Sequence, residues 1–195
     1  MKKMILSAII MMITTTAFAQ YEKGTMIIQP RIGVSAADFN NTDDTEARVG
    51  LAAGVEYEYF LSDRFSVAAG LMYSQQGAKL KDIDLTCKLD YFNIPVLANF
   101  YLFKGFAIKA GLQAGIKSNA KMELKAGGTT QKADLKDDVK GFDLAIPVGL
   151  SYEFKHFVLD ARYNLGVTKV FDENALNLDS KNLAFQLTLG YKFAL

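Results

Sequence analysis

The sequence predicts an all-β protein: an eight-stranded antiparallel up-and-down transmembrane β-barrel preceded by a cleavable signal peptide. Three observations lead there. The N-terminus is built like an export signal. Most of the chain beyond it alternates between apolar and small-or-polar residues, the period of a strand with two unlike faces. The alternating segments are joined by short turns and long polar connections in strict succession, which places short turns on one rim of a barrel and long loops on the other.

Lys2 and Lys3 precede an almost unbroken apolar run over 4–13, and Ala17-Phe18-Ala19 supplies small residues at the cleavage site. The expected division is therefore a signal peptide over 1–19 and a barrel domain over 20–195, with Gln20 the first mature residue. The apolar run is shorter than the ~20 residues a membrane-spanning helix needs, and no cysteine stands at the cleavage point to carry a lipid. Beyond residue 19, strands are expected near 26–35, 49–60, 65–76, 90–102, 106–118, 142–154, 157–167 and 182–195. In 49–60, Leu51, Ala53, Val55, Tyr57 and Tyr59 share one face, with Ala52, Gly54, Glu56 and Glu58 opposite. In 142–154, Phe142, Leu144, Ile146, Val148, Leu150, Tyr152 and Phe154 oppose Asp143, Ala145, Pro147, Gly149, Ser151 and Glu153. Tight turns are expected at 61–64, 103–105 and 155–156, and long connections near 36–47, 77–89, 119–140 and 168–181. Alternation persists in two of the long connections. Met122, Leu124 and Ala126, then Ala133 and Leu135, flank Gly127-Gly128 and mark a candidate hairpin beyond the membrane.

A soluble ligand-carrying barrel alternates too, so the choice rests on what each face carries. One face is apolar and nearly free of charge. The other is rich in Gly, Ala and Ser, as a crowded narrow interior requires and a water-washed exterior does not. Aromatic residues gather beside the short turns (Tyr57, Tyr59, Phe65; Phe100, Phe106; Tyr152, Phe154, Phe157; Tyr191, Phe193). A second set, Tyr73, Phe92 and Phe185, lies eight residues further along its strands. At ~3.4 Å per residue and ~40° of tilt, that is about 21 Å, close to the ~25 Å apolar band between aromatic girdles. The last strand alternates through Phe185, Leu187, Leu189, Tyr191, Phe193 and Leu195 to the chain end. Its Gly190 and terminal hydrophobes resemble the recognition signal for the barrel-assembly machinery, an expected partner beside outer-membrane lipid.

Several blocks are similar to the PorT-like family of small outer-membrane β-barrel proteins. They are Gly70-Leu71-Met72-Tyr73-Ser74-Gln75-Gln76-Gly77-Ala78-Lys79 and Asp90-Tyr91-Phe92-Asn93-Ile94-Pro95-Val96-Leu97, followed by Ala110-Gly111-Leu112-Gln113-Ala114-Gly115, Asp160-Ala161-Arg162-Tyr163-Asn164-Leu165-Gly166 and Gly190-Tyr191-Lys192-Phe193. The blocks span nearly the whole mature chain in the family's order. A departure is Ala110-Gly111-Leu112-Gln113, where relatives often have Gly-Pro-Gln; it touches strand shape rather than chemistry. The resemblance implies an outer-membrane barrel and no single activity, since the family mixes uncharacterised barrels with assembly and secretion factors.

Chemistry-bearing residues are few. A net charge of +1 gives no electrostatic reason to expect a nucleic-acid partner. The single histidine, His156, falls in a tight turn on the rim opposite the long loops that carry the single cysteine, Cys87. No catalytic residue, metal site or cofactor is expected, and Cys87 is read as an incidental free thiol. Strand parity sends five acids (Glu56, Glu58, Asp143, Glu153, Asp160) and five bases (Arg31, Lys109, Lys117, Arg162, Lys192) to the interior. Buried charges must pair, so these ten predict a structural charge network that fills the lumen. Arg162, Asp160 and Glu153 are expected to form part of one cluster. The functional expectation is a non-enzymatic, monomeric pedestal whose exposed loops meet a protein partner. The alternative is a narrow pore or an accessory of an outer-membrane transport or secretion machine.

Overall fold

The computed structural model describes residues 21–40, 45–80, 85–126, 129–135, 139–170 and 180–195. The expected signal peptide and its cleavage point lie outside them. The described residues form ten strands: β1 (Met26–Phe39), β2 (Thr45–Ser62), β3 (Phe65–Leu80), β4 (Leu85–Phe103), β5 (Phe106–Ala126), β6 (Thr129–Asp134), β7 (Phe142–Phe154), β8 (Phe157–Lys169), β9 (Lys181–Tyr191) and β10 (Phe193–Ala194). All pairings are antiparallel between neighbours, and β1 pairs with both β9 and β10, which closes the sheet. Residues on β10 keep the register of β9, so together they make the eighth wall of the barrel; β6 pairs with β5 alone, off the barrel.

Side chains alternate as the sequence requires. In β1, Ile28, Ile32 and Val34 point outward while Ile27, Gln29, Arg31 and Ser35 are buried. The large apolar side chains of the other barrel strands, among them Leu71, Val96, Leu112, Leu150 and Leu189, are exposed on the outside. An apolar exterior around a polar interior is the inverse of a water-soluble fold and fits lipid.

The long connections come out much shorter than the sequence suggests. Residues 36–39, 45–48, 77–80 and 85–89 continue their strands, and 121–126 pairs with 129–134 as a hairpin from Lys121↔Asp134 to Ala126↔Thr129. The reason is that these extensions leave the apolar band and exchange their lipid-facing hydrophobes for polar residues. Register shifts between Ala47 and Ala52 and between Asp90 and Tyr91 then break the parity that would have revealed them. Cys87 accordingly lies within β4, buried, not in a loop.

All three prolines of the chain sit in barrel strands, each at an interruption of one ladder. The β3–β4 ladder skips from Ala69↔Val96 to Met72↔Asn93 beside Pro95, and the β5–β7 ladder skips from Ala110↔Val148 to Gln113↔Ala145 beside Pro147. Pro30 faces the closing seam. The Leu195 amide donates to the Met26 carbonyl at 2.9 Å, so even-numbered residues of β1 direct their backbone groups toward β9 and β10, and Pro30 has no N–H to give. The last strand is interrupted there, between Tyr191 and Phe193.

Candidate functional site

The lumen is crossed by two tiers of charge. In the central tier, Arg31 of β1 lies 2.9 Å from Glu56 of β2 and 3.1 Å from Asp160 of β8. Arg162, two residues above Asp160 on β8, reaches across the barrel to Glu56 at 2.8 Å and lies 3.4 Å from Asp160. Lys109 of β5 donates to Asp160 at 2.8 Å. Five side chains from four strands, all nearly inaccessible to solvent, thus occupy the middle of the lumen. The tier holds three cations and two carboxylates.

The lower tier lies toward the short turns. Lys192, at the break between β9 and β10, is 3.1 Å from Glu58 and 2.9 Å from Glu153. Tyr101 donates to Glu58 at 2.6 Å, Asn99 donates to it at 2.9 Å, and Ser66 also donates to it. Glu58 sits two residues beyond Glu56 on the same face of β2, about 7 Å along the strand, so one strand feeds both tiers. The chain ahead of β1 completes the lower tier. A turn at Glu22-Lys23-Gly24-Thr25, with Gly24 at φ 92°, folds Tyr21 under the mouth of the barrel. Its hydroxyl donates to Glu153 at 2.8 Å, its ring lies 4.9 Å from that of Phe60, and the Lys192 ammonium stands 5.0 Å from its centroid.

Eight of the ten interior charges therefore converge, in two groups rather than one. Glu153 joins Lys192 and not Arg162, so the expected cluster of Arg162, Asp160 and Glu153 divides between the tiers. Parity gives the face of each residue but not its height. The other two residues sit apart, near the long-strand end. Asp143 accepts from Thr168 at 2.8 Å, and half-buried Lys117 donates to the Val139 carbonyl. Sequence reasoning missed Tyr101, Asn99 and Ser66, which share the interior parity of their strands, and Tyr21, which has no periodic context. It also missed a buried pair at the long-strand end, Arg48 and Asp90 at 3.5 Å.

Above these charges, beside the Arg48–Asp90 pair, the interior holds an apolar cluster. Phe39, Ala78, Cys87, Leu89, Tyr91 and Ala120 of the strands and Leu135, Val139 and Val170 of the connections form one buried cluster, with Met122 packed against it, past the Tyr73–Phe92 ring pair. Burial there pushes the Cys87 thiol up to about 11. On the outer surface of the same extensions, the ammonium of Lys88 hydrogen-bonds Glu123 and holds its carboxyl below the usual range, with Lys132 at 3.6 Å adding to the effect. Among the described residues, the long-strand end of the interior thus holds this apolar cluster beside the Arg48–Asp90 pair, and the middle holds ion pairs.

The tiers are paired in charge but not in every hydrogen bond, since the buried Nε atoms of Arg31 and Arg162 find no hydrogen-bond partner. Each carboxylate of the two tiers has at least one cation against it, and no group of three His, Cys, Asp or Glu among the described residues converges as a metal would need. His156 is exposed in its turn, its ring 5.6 Å from that of Tyr191.

Residues 18–172 match the family model for the outer membrane protein beta-barrel domain. Among solved structures, the attachment invasion locus protein Ail of Yersinia pestis, in complex with the heparin analogue sucrose octasulfate, is 18% identical with a TM-score of 0.54. That alignment covers 88% of this chain and 99% of Ail. A second crystal structure of Ail gives 16% identity and a TM-score of 0.50 at the same coverage. Neisserial surface protein A is 14% identical with a TM-score of 0.47, over 86% of this chain and 95% of its own. At such identities the likeness to Ail is one of fold. No curated protein matches the chain significantly.

Proposed function

The chain belongs to the outer membrane protein beta-barrel domain family and resides in the outer membrane; from that premise we propose that it is a non-enzymatic pedestal, sealed through its lumen, that presents its extracellular strand extensions to a protein partner. The observation that carries this reading is the filled interior. Ion pairs among Arg31, Glu56, Lys109, Asp160 and Arg162 span the lumen at 2.8–3.4 Å, with the apolar cluster above them and Lys192, Glu58 and Glu153 below. Such a column gives water and ions no continuous path.

The partner-facing element is the β5–β6 hairpin. The Leu135 amide donates to the Ala120 carbonyl at 3.1 Å. Odd-numbered residues of β6 therefore face β5, and Thr130 and Lys132 direct their backbone groups outward, the geometry that strand addition uses. The finer placing among PorT-like barrels belongs to this proposal and rests on the Tyr-Ser-Gln-Gln-Gly and Arg-Tyr-Asn-Leu-Gly blocks. So do removal of residues 1–19 on export, recognition of the last strand by the assembly machinery, and a monomeric state. Single-channel recording of the refolded protein tests the central claim. The expected trace is flat; sustained, ion-selective steps from the parent protein would replace the pedestal with the pore or transport-accessory reading.

A further inference from the structure

Each short turn of the barrel repeats one chemical arrangement, a cation set beside aromatic rings that are exposed or half-buried. The turns read Ser62-Asp63-Arg64-Phe65, Phe103-Lys104-Gly105-Phe106 and Phe154-Lys155-His156-Phe157. Arg64, Lys104 and Lys155 are all exposed. None has a carboxylate within ion-pair distance among the described residues, whereas every cation of the two interior tiers stands against at least one. Around them Phe103, Phe154 and Phe157 are exposed and Phe65 and Phe106 are half-buried. Phe103 and Phe106 stack at 4.9 Å and 8°, Phe157 meets Tyr191 edge-on at 5.1 Å, and Phe154 lies 5.6 Å below the Lys155 ammonium. Aromatic rings settle at the boundary between hydrocarbon and headgroup, so a cation one residue away is held at the depth of the lipid phosphates.

Two further features single out this rim. Lys155 adopts φ 59°, the left-handed region that glycine or asparagine normally fills in a two-residue hairpin turn, so a long cationic side chain is kept where the backbone disfavours it. Lys23 of the N-terminal turn joins Arg64, Ser62 and Asp63 around an open cleft of about 500 Å³. Over the N-terminal turn and the three hairpin turns, the rim carries Lys23, Arg64, Lys104 and Lys155 against Glu22 and Asp63, a cationic excess spread around the barrel mouth.

We propose that this periplasmic rim is a binding surface for anionic phospholipid, with Arg64, Lys104 and Lys155 each engaging headgroup phosphate in the inner leaflet and Lys23 reinforcing the Arg64 position. The charge lies at the right depth, on the side where the outer membrane carries phospholipid, and is uncommitted to protein carboxylates. The rim does not depend on whether the lumen conducts, so a pore would leave it intact.

The test is lipid selectivity. The parent and an R64Q/K104Q/K155Q variant are refolded into phosphatidylcholine vesicles carrying spin-labelled phosphatidylglycerol or spin-labelled phosphatidylcholine. The relative association of each label with the protein is read from the motionally restricted spectrum, and heat-modifiable gel migration certifies that both proteins are folded. The parent should prefer phosphatidylglycerol about fivefold per engaged site at low salt, the preference shrinking in 0.5 M NaCl (roughly 1 kcal/mol per surface cation). The triple glutamine variant should approach equal association, R64K/K104R/K155R should keep the preference, and K79Q/K88Q/K121Q, on the opposite rim, should leave most of it. Equal association in the parent, or full selectivity retained by the triple glutamine variant, overturns the proposal. So does parent binding to isolated peptidoglycan that the same three substitutions abolish without any phosphatidylglycerol preference.

Discussion

Removing one carboxylate from the central tier should cost more than removing one of its arginines. Asp160 touches three cations, Lys109 at 2.8 Å, Arg31 at 3.1 Å and Arg162 at 3.4 Å, and is 1% exposed. Asp160→Asn keeps the shape but leaves three buried cations facing Glu56 alone, so the tier's excess of one positive charge becomes two. Stranding buried charge in this way costs about 3–5 kcal/mol. Arg162→Met removes a cation of similar volume and leaves Arg31 and Lys109 against Glu56 and Asp160, equal in number. Arg31 still holds both carboxylates, so the expected cost is only ~1–2 kcal/mol, mostly lost charge-assisted hydrogen bonds. Urea unfolding from lipid vesicles reads the difference, with a midpoint drop of roughly 1–3 M for Asp160→Asn and less than half of that for Arg162→Met. In the double variant the two changes should be strongly non-additive, because each removes the other's partner. If Arg162→Met proves as damaging as Asp160→Asn, or the two effects simply add, the charge-balance account of the lumen is wrong.

Other outcomes rest on the same geometry. Cys87, with its thiol pushed up to about 11 by burial, should react with a maleimide at pH 8 about two orders of magnitude more slowly in the folded barrel than in the unfolded chain; labelling at equal rates, followed by mass spectrometry, would refute its place in the apolar cluster. Deleting residues 193–195 removes β10 and the Leu195–Met26 hydrogen bond at the seam, so the amount of heat-modifiable protein in outer membranes should fall sharply while precursor levels hold. A Cβ at Gly33 would come within 2.0 Å of the Leu187 carbonyl oxygen across the closing seam, so Gly33→Ala should destabilise by about 2–4 kcal/mol. Gly141→Ala, with nothing within 4 Å, should be neutral in the same urea titration. Intact-mass measurement of protein purified from outer membranes should show loss of residues 1–19, and a mass that retains them would remove the signal-peptide assignment.

The amino-acid sequence by itself determined the fold class, the strand count, the closing hydrophobic strand and the face each side chain takes. All of these are local consequences of a period of two: an interior residue such as Glu56 or Arg162 is identified by its neighbours two positions away. Within the hydrocarbon band that signal is strong, because one face meets lipid and the other a packed lumen. Past the band both faces meet polar surroundings or an apolar plug, and bulges shift parity. The extensions over 77–80 and 85–89, the second of which holds Cys87, therefore read as a loop until the pairing of β3, β4 and β5 is known. Only the tertiary structure decided which interior charges meet. Lys192 finds Glu58, 134 positions away in the chain, and Arg162 reaches Glu56 across the lumen, because strand tilt and register set the height at which each residue enters the barrel. That stagger belongs to the closed sheet as a whole. It is why one expected cluster became two tiers, and why Tyr21, which has no strand pattern around it, completes the lower one.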